Sequence, residues 1–520
     1  MRQEAEINRT IPTGWIREKL GSLADKITKG ATPTTYGYEF QRSGINFIKI
    51  QNVFAGTIDL ASITDFISEE AHQNQKKSIL KVDDVLFSIA GTIGETSILK
   101  PQHLPANTNQ AFAIISGFSE LLLPKYLEFQ LRSFVSQKTK EKARGGAMNN
   151  VSLDDLKHLE LLLPPLNEQH RIVAKIEELF SELDKGIENL KTARAQLKVY
   201  RQALLKHAFE GKLTAQWRAE NQDKLETADA LLKRIQQERA QRYQQQLADW
   251  EAAGKQGSKP KAPKLLPPFT ADELVELPEL PEGWGWEKLG NIAELIGGVT
   301  KGKNLEGKEK LSLPYLRVAN VQDGYLDLKE IKYIEVETQD KDKFRLEFGD
   351  VLYTEGGDKD KLGRGAVWRS QIESCIHQNH IFRARVFGGV VSPEILSLYS
   401  QTRSAKKYFF RHAKQTTNLA SINLTVLANL PTAIVSQLEQ KQILLEIEAR
   451  LSEADQLDQT LTTALQQAEA LRQSILKKAF AGLLVPQDPH DEPASALLAR
   501  IQAERADVVV KPRKTAKDKT

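Results

Sequence analysis

Glu168-Gln169-His170-Arg171-Ile172 runs on through Ile176-Glu177, Ser181-Glu182 and Asp184, and 271 residues later the chain repeats the pattern as Glu439-Gln440, Ile443, Ile447-Glu448, Ser452-Glu453 and Asp455. From Asn167 to Lys206 there is no proline and one glycine, and the apolar residues recur at a three-four spacing. That spacing predicts an amphipathic helix, present twice. Written as heptads, the first copy places Ile176, Leu183, Leu190, Leu197 and Leu204 in one row and Ile172, Leu179, Gly186, Ala193 and Tyr200 in the other. The second copy offers Ile443, Ile447, Leu457, Leu461, Leu471 and Ile475, with Arg450 and several alanines in the same seam. Two such helices are expected to pack on each other, the alanines allowing close approach. At 1.5 Å per residue, forty residues make a rod of roughly 60 Å.

The repetition extends outward in both directions. Pro12-Thr13-Gly14-Trp15 with Lys19-Leu20-Gly21 returns as Pro281-Glu282-Gly283-Trp284 with Lys288-Leu289-Gly290. Asn52-Val53, Gly56 and Asp59-Leu60 return as Asn320-Val321, Gly324 and Asp327-Leu328, and Asp84-Val85-Leu86 as Asp350-Val351-Leu352. Residues 200–214 match 471–485 at eight of fifteen places, including Ala208-Phe209 with Ala479-Phe480. A period near 270 residues is far too long for a solenoid, whose units run roughly 20 to 50 residues, so one large module is used twice. Within each copy, short apolar runs punctuated by Gly, Asn and Pro come before the helix and predict an α+β domain.

The expected organisation is therefore a first globular domain over 12–165, a long helical spacer with a following helix over 166–253, and a Pro/Lys-rich, flexible or extended linker over 254–280. A second globular domain over 281–436, a second spacer with a C-terminal helix over 437–506 and a basic tail over 507–520 complete it. The helix expected at Ala228–Ala252 opens with Ala230-Leu231-Leu232-Lys233-Arg234-Ile235, which is echoed by Ala496-Leu497-Leu498-Ala499-Arg500-Ile501.

Length and composition bound the function. At 520 residues, 40% hydrophobic and 27% charged, the chain is that of a folded multidomain protein. Its formal net charge is only +4, and the segment from Lys511 to Thr520 accounts for it, so any affinity for phosphate must come from local arrangement of charge. The single cysteine, Cys375, rules out an internal disulfide and a multi-cysteine zinc site, and fits a reducing compartment. The polar start Met1-Arg2-Gln3-Glu4-Ala5-Glu6 leads into no apolar signal core and no run reaches 18 apolar residues, so a cytoplasmic location and no membrane contact are expected.

Catalytic patterns are missing. Gly297-Gly298-Val299-Thr300-Lys301-Gly302-Lys303-Asn304 is one residue short of a phosphate loop, Asn304 standing where magnesium-holding Ser or Thr belongs, and the first copy has nothing like it at Thr28-Lys29-Gly30-Ala31. Cys375-Ile376-His377-Gln378-Asn379-His380 offers three metal-binding side chains without a second cluster, and reads better as a polar strand end. No bound metal, no cofactor and no catalytic residue are expected in this chain.

Two kinds of segment suit DNA. After each Asp-Val-Leu strand comes a glycine-containing turn, Gly91-Thr92-Ile93-Gly94-Glu95 in the first copy and Glu355-Gly356-Gly357 through Lys361 and Arg364 in the second. Glycines permit close backbone approach, and Lys or Arg supply phosphate and guanine contacts. Ahead of the rods lie Lys138, Lys140, Lys142, Arg144, Gly145 and Gly146, and in the second copy Lys406, Lys407, Arg411, His412 and Lys414 among Tyr408, Phe409 and Phe410. Basic residues interleaved with aromatics favour nucleic acid. The bland alternatives are an ordinary hairpin and a solvated basic face.

With Pro164-Pro165-Leu166-Asn167-Glu168-Gln169-His170-Arg171-Ile172-Val173, the paired Pro-x-Gly-Trp openings and the Ala208-Phe209-x-Gly211-x-Leu213 helix end, the chain resembles a specificity subunit of a type I restriction-modification system. In the second copy the proline pair is replaced by Val435-Ser436. The resemblance implies two target-recognition domains joined by two long antiparallel coiled-coil helices and related by an internal pseudo-twofold axis, each domain reading half of a bipartite, asymmetric DNA sequence. It implies double-stranded DNA, two modification (methyltransferase) subunits and restriction (translocase/nuclease) subunits as partners. S-adenosylmethionine, ATP and magnesium would then sit on those subunits. A coiled-coil scaffold carrying two protein-binding domains, with no role on DNA, is the rival from another class, and a stand-alone transcription factor a third.

Overall fold

The computed structural model describes residues 11–54, 56–118, 120–142, 151–255, 259–262, 264–302, 304–338, 340–357, 361–415 and 420–510; side chains at 134–142 and 504–510 lie outside the description. The basic tail from Lys511 onward, and Arg144, Gly145 and Gly146, lie outside the described residues.

The polypeptide forms two compact units, and these are not the two tandem copies: one comprises Met1–Lys191 with Thr462–Thr520, the other Thr192–Leu461. Each unit combines one globular domain with the opening half of its own long helix and the closing half of the other copy's. The long helices run Leu166–Phe209 and Gln437–Phe480, 44 residues each.

In the first unit, a four-stranded antiparallel sheet has the order Ala24–Lys29, Phe112–Phe118, Val85–Ser88, Thr96–Ile98. The strand Val85–Ser88 is buried along its whole length, which explains why Val85-Leu86-Phe87 reads as a continuous apolar run instead of an alternating one. A side sheet is ordered Phe66–Ile67, Ile45–Ile48, Ala106–Thr108, the last pair parallel. Ile16–Lys19 pairs with Glu160–Leu163 to bring the domain's two ends together. The second unit repeats these three sheets: Ala293–Gly297, Ile381–Val386, Val351–Thr354, Gly365–Val367; then Lys332–Glu337, Lys310–Leu316, Ile376–His377; then Gly285–Lys288 with Pro431–Ile434. Its linker is partly docked instead of free: Trp286 Nε1 donates to the Pro278 carbonyl at 3.1 Å and the Leu266 N–H to Asn291 Oδ1 at 2.7 Å.

Within each unit the helix halves run antiparallel. In the first, Ile172, Ile176 and Phe180 share a core with Ile475, Leu476 and Ala479 and with Trp15, Leu161 and Leu163 of the domain. In the second, Leu205, Ala208 and Phe209 share a core with Ile443 and Ile447 and with Leu289 and Tyr353. The repeat residues Asp184/Asp455 and Arg201/Arg472 become equivalent ion pairs, Arg472 with Asp184 in one unit and Arg201 with Asp455 at 2.6 Å in the other.

The seam is narrower than the heptads predict. On the second helix one row is lined by Ile447, Ala454, Leu461, Ala468 and Ile475, all below a tenth exposed. Leu457 and Leu471, expected in the seam, are 49% and 51% exposed. Tyr200 on the first helix is exposed too, and Leu183 and Leu190 are only half-buried, whereas Leu197 and Leu204 are buried. The members of the buried row stand seven residues apart, so a single heptad position of the second helix is covered and the flanking row is left outside.

The end of each long helix is clasped by the domain in its unit. Gly211 and Gly482, at φ +68° and +69°, turn the chain off the helices. A Cβ on Gly211 would lie 2.2 Å from Pro281 and one on Gly482 2.6 Å from Pro12, so the helix ends close on the Pro-x-Gly-Trp openings with no room for a side chain. Trp15 Nε1 donates to buried Glu168 Oε2 at 3.0 Å, and Trp284 Nε1 to Glu439 Oε2 at 2.8 Å. Gln169 Nε2 donates to the Leu121 and Pro164 carbonyls, and Gln440 Nε2 to those of Val390 and Val435. The two clasps differ in one respect. Glu439 Oε1 also accepts from Thr214 Oγ1 at 2.6 Å and Arg218 Nε at 2.8 Å. The repeat puts Val485 and Pro489 at those places in the other copy, and Glu168 Oε1 is buried without a partner. Burial holds the Glu168 carboxyl above its ordinary value, against the Trp15 hydrogen bond and the charge of Arg171.

Two outcomes are expected. Ile475→Ala should cost about 2–4 kcal/mol in a urea unfolding series, whereas Leu471→Ala should stay within about 0.5 kcal/mol; equal losses would contradict the one-row seam. Because the folded-state pKa of Glu168 is raised, its contribution is fully present below about 4.5, the ordinary value, and is lost as pH rises through the folded value. Thermal melts from acid to neutral pH should therefore show Glu168→Gln gaining on the parent as pH rises, with no such trend if Glu168 is ionised throughout.

Candidate nucleic-acid interface

In the second unit the strand Val351–Thr354 delivers the glycine turn, and Gly356–Gly357 then pairs antiparallel with Ala420–Ser421, which pairs with Lys414–Gln415. The turn and the basic segment, far apart in sequence, are thereby brought into one small sheet. Thr354 fixes the loop: its hydroxyl donates to the Lys361 carbonyl at 2.7 Å and accepts from the Arg364 N–H at 3.0 Å. Arg364 Nη1 donates to Gln322 Oε1 at 2.8 Å, and Lys406 Nζ to Asp323 Oδ1 at 2.7 Å. Glu355 is engaged by His380.

The helix Arg403–His412 starts at Thr402, whose hydroxyl accepts from the Ala405 N–H. Ala405 and Phe409 are buried at an i, i+4 spacing, which turns Lys407 and Arg411 to solvent. Phe409 is core and the Tyr408 hydroxyl donates to the Val426 carbonyl at 2.9 Å, so these two aromatics hold the helix down and are no stacking platform for bases. Arg411 is bound to Glu276, an exposed pair of small energetic worth, while Lys407 and Lys414 are exposed.

The first unit is built alike. Ser88 stands where Thr354 does, its hydroxyl donating to the Thr92 carbonyl and accepting from the Glu95 N–H at 2.8 Å, which sets the turn containing Gly91 and Gly94. The Val151 N–H donates to the Ile89 carbonyl at 3.0 Å, as the Ile422 N–H does to Glu355 at 2.8 Å. Lys140 and Lys142 belong to the helix Pro124–Lys142, and their side chains lie outside the described residues.

The metal-like sextet is taken apart by the fold. Cys375 is buried and its thiol pushed up to about 12 by burial. His377 is buried, its Nδ1–H donating to the Ile381 carbonyl at 3.0 Å, and burial pulls it down to about 4. His380 turns to Glu355. Among the described residues no group of three His, Cys, Asp or Glu side chains is placed to hold a metal, and no helix is long and apolar enough to cross a membrane.

Asn52 and Asn320, prominent in the repeat, prove to be organisers. Asn52 Oδ1 accepts from the Lys49 N–H and Asn320 Oδ1 from the Arg317 N–H, both at 2.8 Å, and each amide donates onward at 2.8 Å, to the Ser62 or Asp327 carbonyl. They anchor a short hairpin beside each glycine turn that sequence reasoning did not mark as part of the site.

Residues 12–192 match the family described as type I restriction modification DNA specificity domain. Among curated proteins, the chain is 23% identical over 522 residues to the specificity subunit of the type I restriction enzyme EcoKI of Escherichia coli (strain K12), covering 95% of this chain and 96% of that one. Residues 12–192 carry the domain of that family, and along nearly its whole length the chain is similar to type I restriction-modification specificity subunits. It is also 33% identical over 242 residues to the EcoBI specificity subunit of Escherichia coli, spanning about half of that relative (49%) and 44% of this chain. A chain from a solved structure concerned with complex assembly and conformational transition of the type I R-M system has a TM-score of 0.60 at 18% identity, covering 91% of this chain and 99% of its own. That likeness is one of fold, and it agrees with two domains and two long packed helices.

Proposed function

We propose that the chain acts as a specificity subunit that reads a bipartite, asymmetric DNA sequence, one half through each globular domain, and performs no chemistry itself. The observation that carries the proposal is a scaffold built twice, with matching turn-fixing hydrogen bonds from Ser88 and Thr354 under turns of different sequence. The turn is Gly91-Thr92-Ile93-Gly94 in one domain; in the other, Gly356–Gly357 pairs with Ala420–Ser421, which pairs with Lys414–Gln415. Identical faces would read a symmetric target, and different faces an asymmetric one.

Lys407 and Lys414 neutralise phosphates in this reading, and the glycine turns let the backbone approach base edges. Arg411, held by Glu276, is a supporting residue until DNA displaces the carboxylate. The outward rows of the long helices, with Leu457 and Leu471 exposed, are apolar surface that suits two copies of one modification subunit. That subunit would bring S-adenosylmethionine, and restriction subunits would bring ATP and magnesium.

Replacing residues 12–165 by the matching domain of another specificity subunit should change one half of the methylated sequence in cells that also make the modification subunit, and leave the other half alone. A change in both halves, or in neither, would refute domain-by-domain reading. In vitro, Lys407→Ala with Lys414→Ala should reduce the slope of log affinity against log salt by about two, and an unchanged slope would remove these lysines from the DNA face.

A further inference from the structure

The hairpin anchored by Asn52 pairs Val53 with Ile58 and Phe54 with Thr57. Its counterpart pairs Val321 with Leu326, and the Gln322 N–H donates to the Tyr325 carbonyl at 3.0 Å. Phe54 and Gln322 occupy the same place in the repeat, as do Thr57 and Tyr325. Each hairpin thus ends in a rung holding one aromatic, carried on the first strand in one domain and on the second strand in the other. Residues directly opposed in an antiparallel pair share a face, so both aromatics project from the same face of the same rung. Phe54 is 81% exposed and Tyr325 61%.

The rung is rigidly mounted beside the glycine turn. Gly56 and Gly324 make the bend at φ +85° and +84°, and a Cβ there would meet Arg132 at 1.6 Å or Gln401 at 2.7 Å. The Gly324 N–H donates to the Gly365 carbonyl at 3.0 Å, and Gln322 holds Arg364. In the first domain Ser97 Oγ donates to the Gly56 carbonyl at 3.2 Å, and Gly91 approaches Ile50, just ahead of the hairpin.

An exposed ring on a braced tip adds nothing to folding and marks a contact surface. Its identity points to the occupant. A partner subunit that docks the same way on both domains needs the same residue in the same place, whereas here the ring changes from Phe to Tyr and crosses from one strand to the other. Two unlike DNA half-sites call for that kind of change. We infer that Phe54 and Tyr325 each pack against a base step of the DNA half-site read by their domain, as an apolar wedge or a stacking ring, and so contribute to which bases are accepted. The inference rests on the DNA-reading proposal.

The test uses the full chain assembled with its modification subunits and 30-base-pair duplexes, the length being a choice of design, taken from sites methylated in cells. Phe54→Ala and Tyr325→Ala should each weaken binding roughly 5- to 100-fold with the melting temperature unchanged. Each variant should also lose discrimination against base changes in one half of the site, a different half for each, and Phe54→Tyr should restore binding. If the parent complex shows no sequence preference at all, the DNA-reading proposal fails. If the parent discriminates and both alanine variants bind and discriminate as it does, or if they fail only in assembling with the modification subunit, the wedge assignment is overturned while DNA reading stands.

Discussion

An indole hydrogen bond to a buried glutamate, made once in each unit, is the constraint on which the rest of the structure depends. Trp15 with Glu168 and Trp284 with Glu439 tie the opening strand of a domain to the first turn of the long helix that leaves it. That turn also presents unpaired N–H groups and the positive end of the helix dipole, the one part of a helix where a buried carboxylate is least costly. Gln169 and Gln440 then satisfy loop carbonyls from the same turn, so the direction in which each helix leaves its domain is set by side chains within two residues of each other.

The second consequence is that neither tandem copy is a folding unit. Phe209, at the end of the first helix, packs edge-to-face on Tyr399, and Phe480, at the end of the second, on Tyr126. A domain's core is completed by the helix end that belongs to the other copy, with Gly211 and Gly482 seated against Pro281 and Pro12. Substitutions at helix ends therefore act on the domain in their own unit, far along the chain from the residue changed.

Most of the scaffold was legible in the sequence because it is made of local, repeated patterns. The heptad rows announced the helices, and the paired Pro-x-Gly-Trp, Asn-Val and Asp-Val-Leu motifs announced the duplication; each later proved to be a clasp, a hairpin anchor or a central strand. What was not legible depended on tertiary distance. Leu457 and Leu471 fit the periodicity as well as Leu461 does, and only the packing of the folded chain decides which row is covered. Tyr408 and Phe409 looked like partners for bases and are claimed by the core and by the Val426 carbonyl. Phe54 and Tyr325 carried no signal, because exposure of a lone aromatic is not encoded in its neighbours.

The clasps also show how two copies can drift apart without losing the fold. Glu439 keeps Thr214 and Arg218 as partners, and Arg218 lies 5.2 Å over the Trp284 ring. Glu168 has lost both donors and retains the indole, with Arg171 turned to Asp491 at 2.7 Å. A buried oxygen left without a donor costs about 1–3 kcal/mol, and raising the carboxyl's pKa reduces that cost by favouring the neutral acid. The scaffold absorbs the loss because the Gln169 bonds and the apolar contacts around Ile172 do not involve the missing donors. The same separation holds at the glycine turns, where Ser88 and Thr354 fix the backbone with matching hydrogen bonds while the turn residues differ. The fold is held by side chains other than those of the turns, so the turns can change one domain at a time.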